Sequence, residues 1–193
     1  NNEFIFVKNY TTTSGHNVPL DNLGRRYGGY GGWWASMGPS QNLVDDYDMQ
    51  STGLPPFIWS NDDTKSVNPA SGYDPQKPYE DRDPRFYDTI LYDGGVYRGD
   101  LHEMWVSEDA TQWGSDSPLQ NGDNPLGLYI LRKFAPDVDQ EDLLWGQSTI
   151  TYCHYRLGEI YLNYAEAMFE LGYEDVCREY MNKIRARAEM PDI

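Results

Sequence analysis

The stretch YRLGEIYLNYAEAMFELG, residues 155–172, decides the fold class of this 193-residue chain. Leu157, Ile160, Tyr161, Tyr164, Ala165, Met168 and Leu171 recur within it at i, i+3, i+4 and i+7, the spacing that lines one face of a helix. Gly172 ends the pattern, since glycine takes the left-handed conformation that closes a helix without a steric penalty. A second stripe, Cys177, Tyr180, Met181, Ile184 and Ala188, predicts another helix over 174–189, stopped by Pro191. Two amphipathic helices joined by a short glycine turn make an antiparallel hairpin of about 35 residues, the size of one tetratricopeptide unit. Leu157, Gly158 and Tyr161 keep the mutual spacing of that repeat's opening, although the first helix is about one turn too long for it. Such a unit buries only one of its faces alone, so the hairpin is expected to pack partly against further chain.

The preceding residues are different in kind. FIFV, residues 4–7, is aromatic and β-branched and predicts a buried strand. Turn formers fill 11–32, and YGGYGGWW fails the dinucleotide-binding G-x-G-x-x-G spacing because position 34 is Trp. PSQNLVDDYD predicts a short helix capped by the Ser40 hydroxyl. Residues 51–80 hold five prolines among Asn, Asp and Ser, and predict a surface excursion. Asp83-Pro84 is a helix start, the carboxylate capping and the proline standing where no donor is needed. TILY, Asp93-Gly94 and GVYR together predict a hairpin through a type I′ turn, and LYILRKF a further strand. The expected fold is therefore mainly α, with long irregular loops and a few short strands. It forms a single partial domain, loop-rich over 1–150 and a tetratricopeptide-like helical hairpin over 151–193.

Thirty-one acids against fifteen basic residues give a formal charge of −16. That balance repels a phosphate backbone, and no Lys/Arg cluster makes a local exception, so nucleic-acid binding is excluded. No apolar run reaches the roughly 18 residues of a membrane-spanning helix. Cys153 and Cys177 stand about 30 Å apart along the helical reading, too far for a bridge, and are expected as two buried free thiols. Zinc-protease spacing fails because His102-Glu103 is followed at 106 by Val, and His16 and His154 stand alone. Nucleophile-elbow spacing fails at Ser36 and Ser148. Asp45, Asp46 and Asp48, or Asp62 and Asp63, offer oxygen ligands to a structural calcium ion, but a solvated acidic face is the simpler account. No other cofactor is expected. A glycosidase carboxylate pair has no specific signal among so many acids.

Aromatic residues make up 15% of the chain, and all six tryptophans precede residue 150. Tyr30, Trp33, Trp34, Trp59, Trp105 and Trp113 sit in loops beside Asn, Asp and Arg, a setting in which a flat ring covers the C–H face of a sugar while polar neighbours meet its hydroxyls. The same rings also serve to staple long loops to a body. Three functions stay open on these residues: a glycan-binding module, a glycoside hydrolase with a hidden carboxylate pair, and a protein-interaction scaffold.

In order along the chain, PSQNLVDDYD, YEDRDPRFYDTILYDG, YILRKF, YRLGEIYLNYAEAMFELG and MNKIRARAEMP resemble the SusD/RagB family of Bacteroidetes outer-membrane lipoproteins. The resemblance implies a non-catalytic binder of oligosaccharide or polysaccharide on the extracellular face of the outer membrane, delivering its ligand to a SusC-like TonB-dependent transporter. It implies an α-α superhelix of which this chain is the later part, held to the membrane only by a lipid on a cysteine upstream of the sequence given. Arg82, Asp83, Pro84 and Arg85, with Arg156, Glu159, Asn163, Ala165, Glu166 and Ala167, match signatures that are architectural in the family. Glu189 is a departure, standing where the family commonly has glycine.

Overall fold

The computed structural model describes residues 3–24, 26, 35–60, 64–120, 127–135 and 146–193. Within them lie five helices, α1 (Val18–Asn22), α2 (Gln41–Asp45), α3 (Pro84–Thr89), α4 (Leu157–Glu170) and α5 (Glu174–Arg187). Eight short strands accompany them: β1 (Phe4–Lys8), β2 (Phe57–Trp59), β3 (Lys65–Val67), β4 (Ile90–Leu91), β5 (Val96–Tyr97), β6 (Asp100–Leu101), β7 (Ile130–Leu131) and β8 (Tyr152–Arg156). The strands pair only in antiparallel twos, β1 with β8, β2 with β3, β4 with β7 and β5 with β6. The chain forms two compact units, one from Asn1–Asn9, Asp45–Phe86 and Thr151–Ile193, the other from Tyr10–Val44 and Tyr87–Ile150. No described helix is long and apolar enough to cross a membrane.

In the first unit the apolar stripes of α4 and α5 meet as their spacing predicts. The Tyr180 ring lies edge-on to Tyr161 at 5.3 Å and to Tyr164 at 4.6 Å, and Ala165 and Cys177 are buried. The hairpin nonetheless leaves Ile160, Leu162, Phe169 and Leu171 exposed. An apolar groove of about 400 Å³ runs between Leu162, Ala165, Phe169, Cys177, Met181 and Ile193. Residues 155 and 156 fall outside α4, because 152–156 are extended as β8 and the helix begins at Leu157. The helical distance drawn between the two cysteines therefore does not apply. Both thiols are free, Cys177 buried and Cys153 half-buried.

The two helices end alike. After α4, Gly172 N–H donates to Phe169 O and Tyr173 N–H to Met168 O; after α5, Glu189 N–H donates to Ala186 O and Met190 N–H to Arg185 O. This paired bonding satisfies the last carbonyls of a helix and requires a left-handed residue at its centre. Gly172 sits at φ 82°, while Glu189 is held at φ 58° despite its side chain. A non-glycine residue there costs about 1–2 kcal/mol, partly offset by the greater freedom glycine adds to the unfolded chain. Glu189→Gly is accordingly expected to stabilise the protein by about 1 kcal/mol, read as a rise in urea midpoint at unchanged slope.

Asp83 caps α3 as its sequence predicts, accepting Arg85 N–H at 2.8 Å while its own N–H donates to Asp48 O. Beside it Arg82 is 1% exposed and donates to the carbonyls of Pro78 and Tyr47, both at 2.9 Å. Its guanidinium lies 5.1 Å from the centre of the buried Phe86 ring, which in turn packs against Tyr47 and Tyr79. Arg185 of α5 closes the same unit, reaching Asp48 at 2.9 Å, Pro191 O at 2.6 Å and Gly53 O at 3.0 Å. Planar guanidinium forks can serve several acceptors at once, which lets loops without secondary structure be held by single side chains.

Two strand expectations are corrected. FIFV does form β1, but Phe4, Ile5 and Phe6 are exposed rather than buried, since β1 pairs with β8 alone and a two-stranded ribbon has no layer of its own to cover it. The hairpin through Asp93-Gly94 does not form. β4 pairs instead with β7, and β5 turns onto β6 through Arg98 and Gly99, at φ 52° and 84°. Two consecutive positive φ values are what a type I′ turn needs, and only Gly94 supplies one at the predicted site. Residues 51–80 also contain the β2–β3 hairpin within the irregular excursion. The core of the second unit is Leu20 and Leu23 with Ala35, Leu91, Tyr97 and Ile130.

Candidate functional site

In the second unit, residues 103–107 and 112–116 run as an antiparallel ribbon carrying two tryptophans. Ser107 N–H donates to Gln112 O, Gly114 N–H to Trp105 O and Asp116 N–H to Glu103 O, each at 2.9 Å. Val106 and Trp113 are directly opposed in this pairing. Alternation along a strand then turns Trp105 to the other face, so each face presents one indole. Trp105 is 42% exposed and Trp113 37%. Trp113 is also fixed in orientation, because its Nε1–H donates to Gln120 Oε1 at 2.8 Å.

Carboxylates hold this ribbon where sheet neighbours would otherwise do so. Asp93 Oδ1 accepts the N–H groups of Met104 at 2.7 Å and Trp105 at 3.0 Å. Asp116 Oδ2 accepts Glu103 N–H and an Arg26 N–H, both at 3.0 Å, and lies 3.3 Å from Nδ1 of the fully buried His102. Arg26 further reaches Leu101 O and the Asp100 carboxylate. Asp109 orders the ribbon's turn by accepting Ser107 and Thr111 hydroxyls.

Burial alone would raise the Asp116 carboxyl, yet it lies below the ordinary carboxylate range. The opposing causes are the hydrogen bonds from His102 and Glu103 N–H and the fields of His102 and Arg26. A group whose folded value is depressed adds stability that is present above its unfolded pKa, about 3.9 for Asp, and lost as pH falls through the folded value. Loosening of the ribbon is therefore expected to begin only below about pH 4, read by near-ultraviolet dichroism. Asp116→Asn should flatten that acid limb while lowering stability at pH 7.

The remaining aromatic candidates are placed differently. Trp59 lies on β2 of the first unit, 49% exposed, with Lys65 Nζ 5.8 Å over its ring and 4.3 Å over Phe57. Tyr30, Trp33 and Trp34 lie outside the described residues. Of the carboxylates considered for calcium, Asp45 pairs with Lys65 and Asp48 with Arg185, while Asp62 and Asp63 lie outside the described residues. Among the described residues no three His, Cys, Asp or Glu side chains gather to hold a metal. His16 bonds Ile150 O at 2.8 Å, and the His154 ring lies tilted against Phe6 and edge-on to Tyr152, so both make packing contacts.

Local spacing pointed to Trp105 and Trp113 but not to Asp93, Asp116, Arg26 or Gln120, which position them. Asp93 and Asp116 accept from N–H groups 11 and 13 residues away, and Arg26 donates to Asp116 from 90 residues away. Such pairings leave no mark in any short window of sequence.

The model of the SusD family matches residues 2–193. Among solved structures, a SusD-like carbohydrate-binding protein of Bacteroides fragilis is 26% identical with a TM-score of 0.73, matched over 100% of this chain and 35% of its own. A second SusD-like protein of Bacteroides fragilis is 27% identical with a TM-score of 0.67, over 100% of this chain and 37% of its own. This chain thus spans little more than a third of either relative. No curated protein matches it.

Proposed function

The chain belongs to the SusD family, and from that premise we propose that the protein is a non-catalytic glycan receptor of the cell surface. It captures oligosaccharide or polysaccharide at the extracellular face of the outer membrane and passes it to a SusC-like TonB-dependent transporter, the protein being held there by a lipid outside this chain. The observation that carries this reading is the match over the whole chain to a Bacteroides fragilis relative described as carbohydrate-binding. The exposed indoles of Trp105 and Trp113, one of them pre-oriented by Gln120, supply the flat rings that sugar binding uses. Trp59 on β2, with Tyr30, Trp33 and Trp34, completes the candidate set.

Asp116 itself is not suited to glycosidase acid chemistry. A glycosidase needs one carboxylic acid with a raised pKa to protonate the leaving oxygen, whereas Asp116 is depressed and already committed to backbone and Arg26. No cofactor enters. The α4–α5 pair acts in this scheme as one tetratricopeptide-like slab of a larger helical frame, and its apolar groove is the face a neighbouring pair covers.

Calorimetry of the full-length protein against a broad polysaccharide panel tests the receptor role, with the same mixtures assayed for new reducing ends. Saturable binding with no new reducing ends is the expected result. Absence of saturable binding across the panel would remove the receptor role, and cleavage abolished by one Asp or Glu substitution would replace it with hydrolysis.

A further inference from the structure

We propose that the tryptophan ribbon is a charge-selective site that takes uncharged glycans and turns away sulfated or uronate-bearing ones; this rests on the glycan-receptor reading above. Residues 99–120 contain Asp100, Glu103, Glu108, Asp109 and Asp116 and not one Lys or Arg. The exposed indoles of Trp105 and Trp113 stand within that stretch. Glu108 and Asp109 are exposed at the ribbon's turn, between the two strands that carry Trp105 and Trp113. Arg26, a cation that the fold brings to the ribbon, is engaged by the Asp116 and Asp100 carboxylates, Leu101 O and the Ser115 hydroxyl. Its charge is thereby spent on holding the ribbon together.

Recognition of a sulfate or carboxylate on sugar calls for a guanidinium or ammonium presented to it. Beside the indoles, the exposed polar groups of the ribbon include the Glu108 and Asp109 carboxylates and the neutral amides of Gln112 and Gln120. A sugar hydroxyl can donate to these carboxylates, whereas an anionic substituent meets like charge, which costs affinity and slows encounter. Because Glu108 and Asp109 are solvent-exposed, their repulsion is screened over about 8 Å at physiological salt and reaches further as salt is lowered. That fixes a sign. Binding of an anionic derivative should strengthen as salt is added, opposite to the usual weakening of protein–polyanion complexes.

The experiment compares dextran, xylan, galactan, mannan and laminarin with their carboxymethylated and sulfated derivatives, by calorimetry on the full-length protein at 20 and 300 mM NaCl. Expected is binding of at least one neutral polysaccharide and a derivative at least about tenfold weaker at low salt, the gap narrowing at 300 mM. The variant Glu108→Lys combined with Gln112→Lys should narrow the gap at low salt as well. A derivative that binds as tightly as its parent, and loses affinity as salt rises, overturns the charge selection and leaves the receptor reading standing. Binding of neither class overturns the receptor reading, and the selectivity with it.

Discussion

Arg82→Ala is expected to melt roughly 10 °C below the wild-type protein, the largest stability loss from a single change outside the apolar core. Two charge-assisted hydrogen bonds disappear, leaving the part-buried carbonyls of Pro78 and Tyr47 without their donor, and the side chain's volume is left as a cavity beneath Phe86. Together these amount to about 3–5 kcal/mol, which the melting shift above expresses for a chain of this size. Arg82→Lys should recover little, because one ammonium cannot span two carbonyls and lie flat against an aromatic ring as the planar fork does. Thermal unfolding followed by far-ultraviolet dichroism decides it, and a lysine variant as stable as the wild type would show that charge alone, not geometry, holds the segment.

Trp113→Ala is expected to weaken glycan binding roughly 30-fold, the equivalent of about 2 kcal/mol for a pre-oriented aromatic hot spot. Pre-orientation matters because the Gln120 bond holds the indole before ligand arrives, so less ordering is needed on binding. Trp105→Ala should act on the opposite face of the ribbon, and the two losses should be separable for a short oligosaccharide that reaches one face only. Both residues are more than half buried, so each change should also lower the melting temperature by a few degrees, and affinities are compared well below the variants' transitions. Trp59→Ala should change affinity less than about threefold, its ring already having the Lys65 ammonium over one face. Calorimetry with the tightest-binding neutral polysaccharide measures all three, and equal losses would mean that both units contact the ligand alike.

The sequence was most legible where structure is local. Helical periodicity found α4 and α5, Gly172 marked the end of the first, Ser40 and Asp83 announced their caps, and each is a matter of neighbours within one or two turns. It was least legible where partners are distant. Asp93-Gly94 carried the chemistry of a hairpin turn, but the Asp93 carboxylate went to Met104 and Trp105, and the turn formed at Arg98-Gly99. FIFV had the composition of a buried strand, yet composition does not say what lies on either side of a ribbon. The same holds for the candidate site. Exposed indoles on a loop-rich segment could be picked out by residue type, whereas Asp116, Arg26 and His102, which set their geometry, meet only after folding. Glu189 was visible as a departure from the family's glycine, and the structure supplies its meaning as a left-handed residue in a helix-closing motif.

The most direct test is hydroxyl-radical footprinting of the full-length protein, free and saturated with the tightest-binding neutral polysaccharide, with oxidation located by peptide mass spectrometry. The account predicts that Trp105 and Trp113 become protected while Phe169 and Leu171 on the helical hairpin keep their oxidation rates. Protection confined to the hairpin face, with both ribbon indoles oxidised as fast as in the free protein, would contradict it.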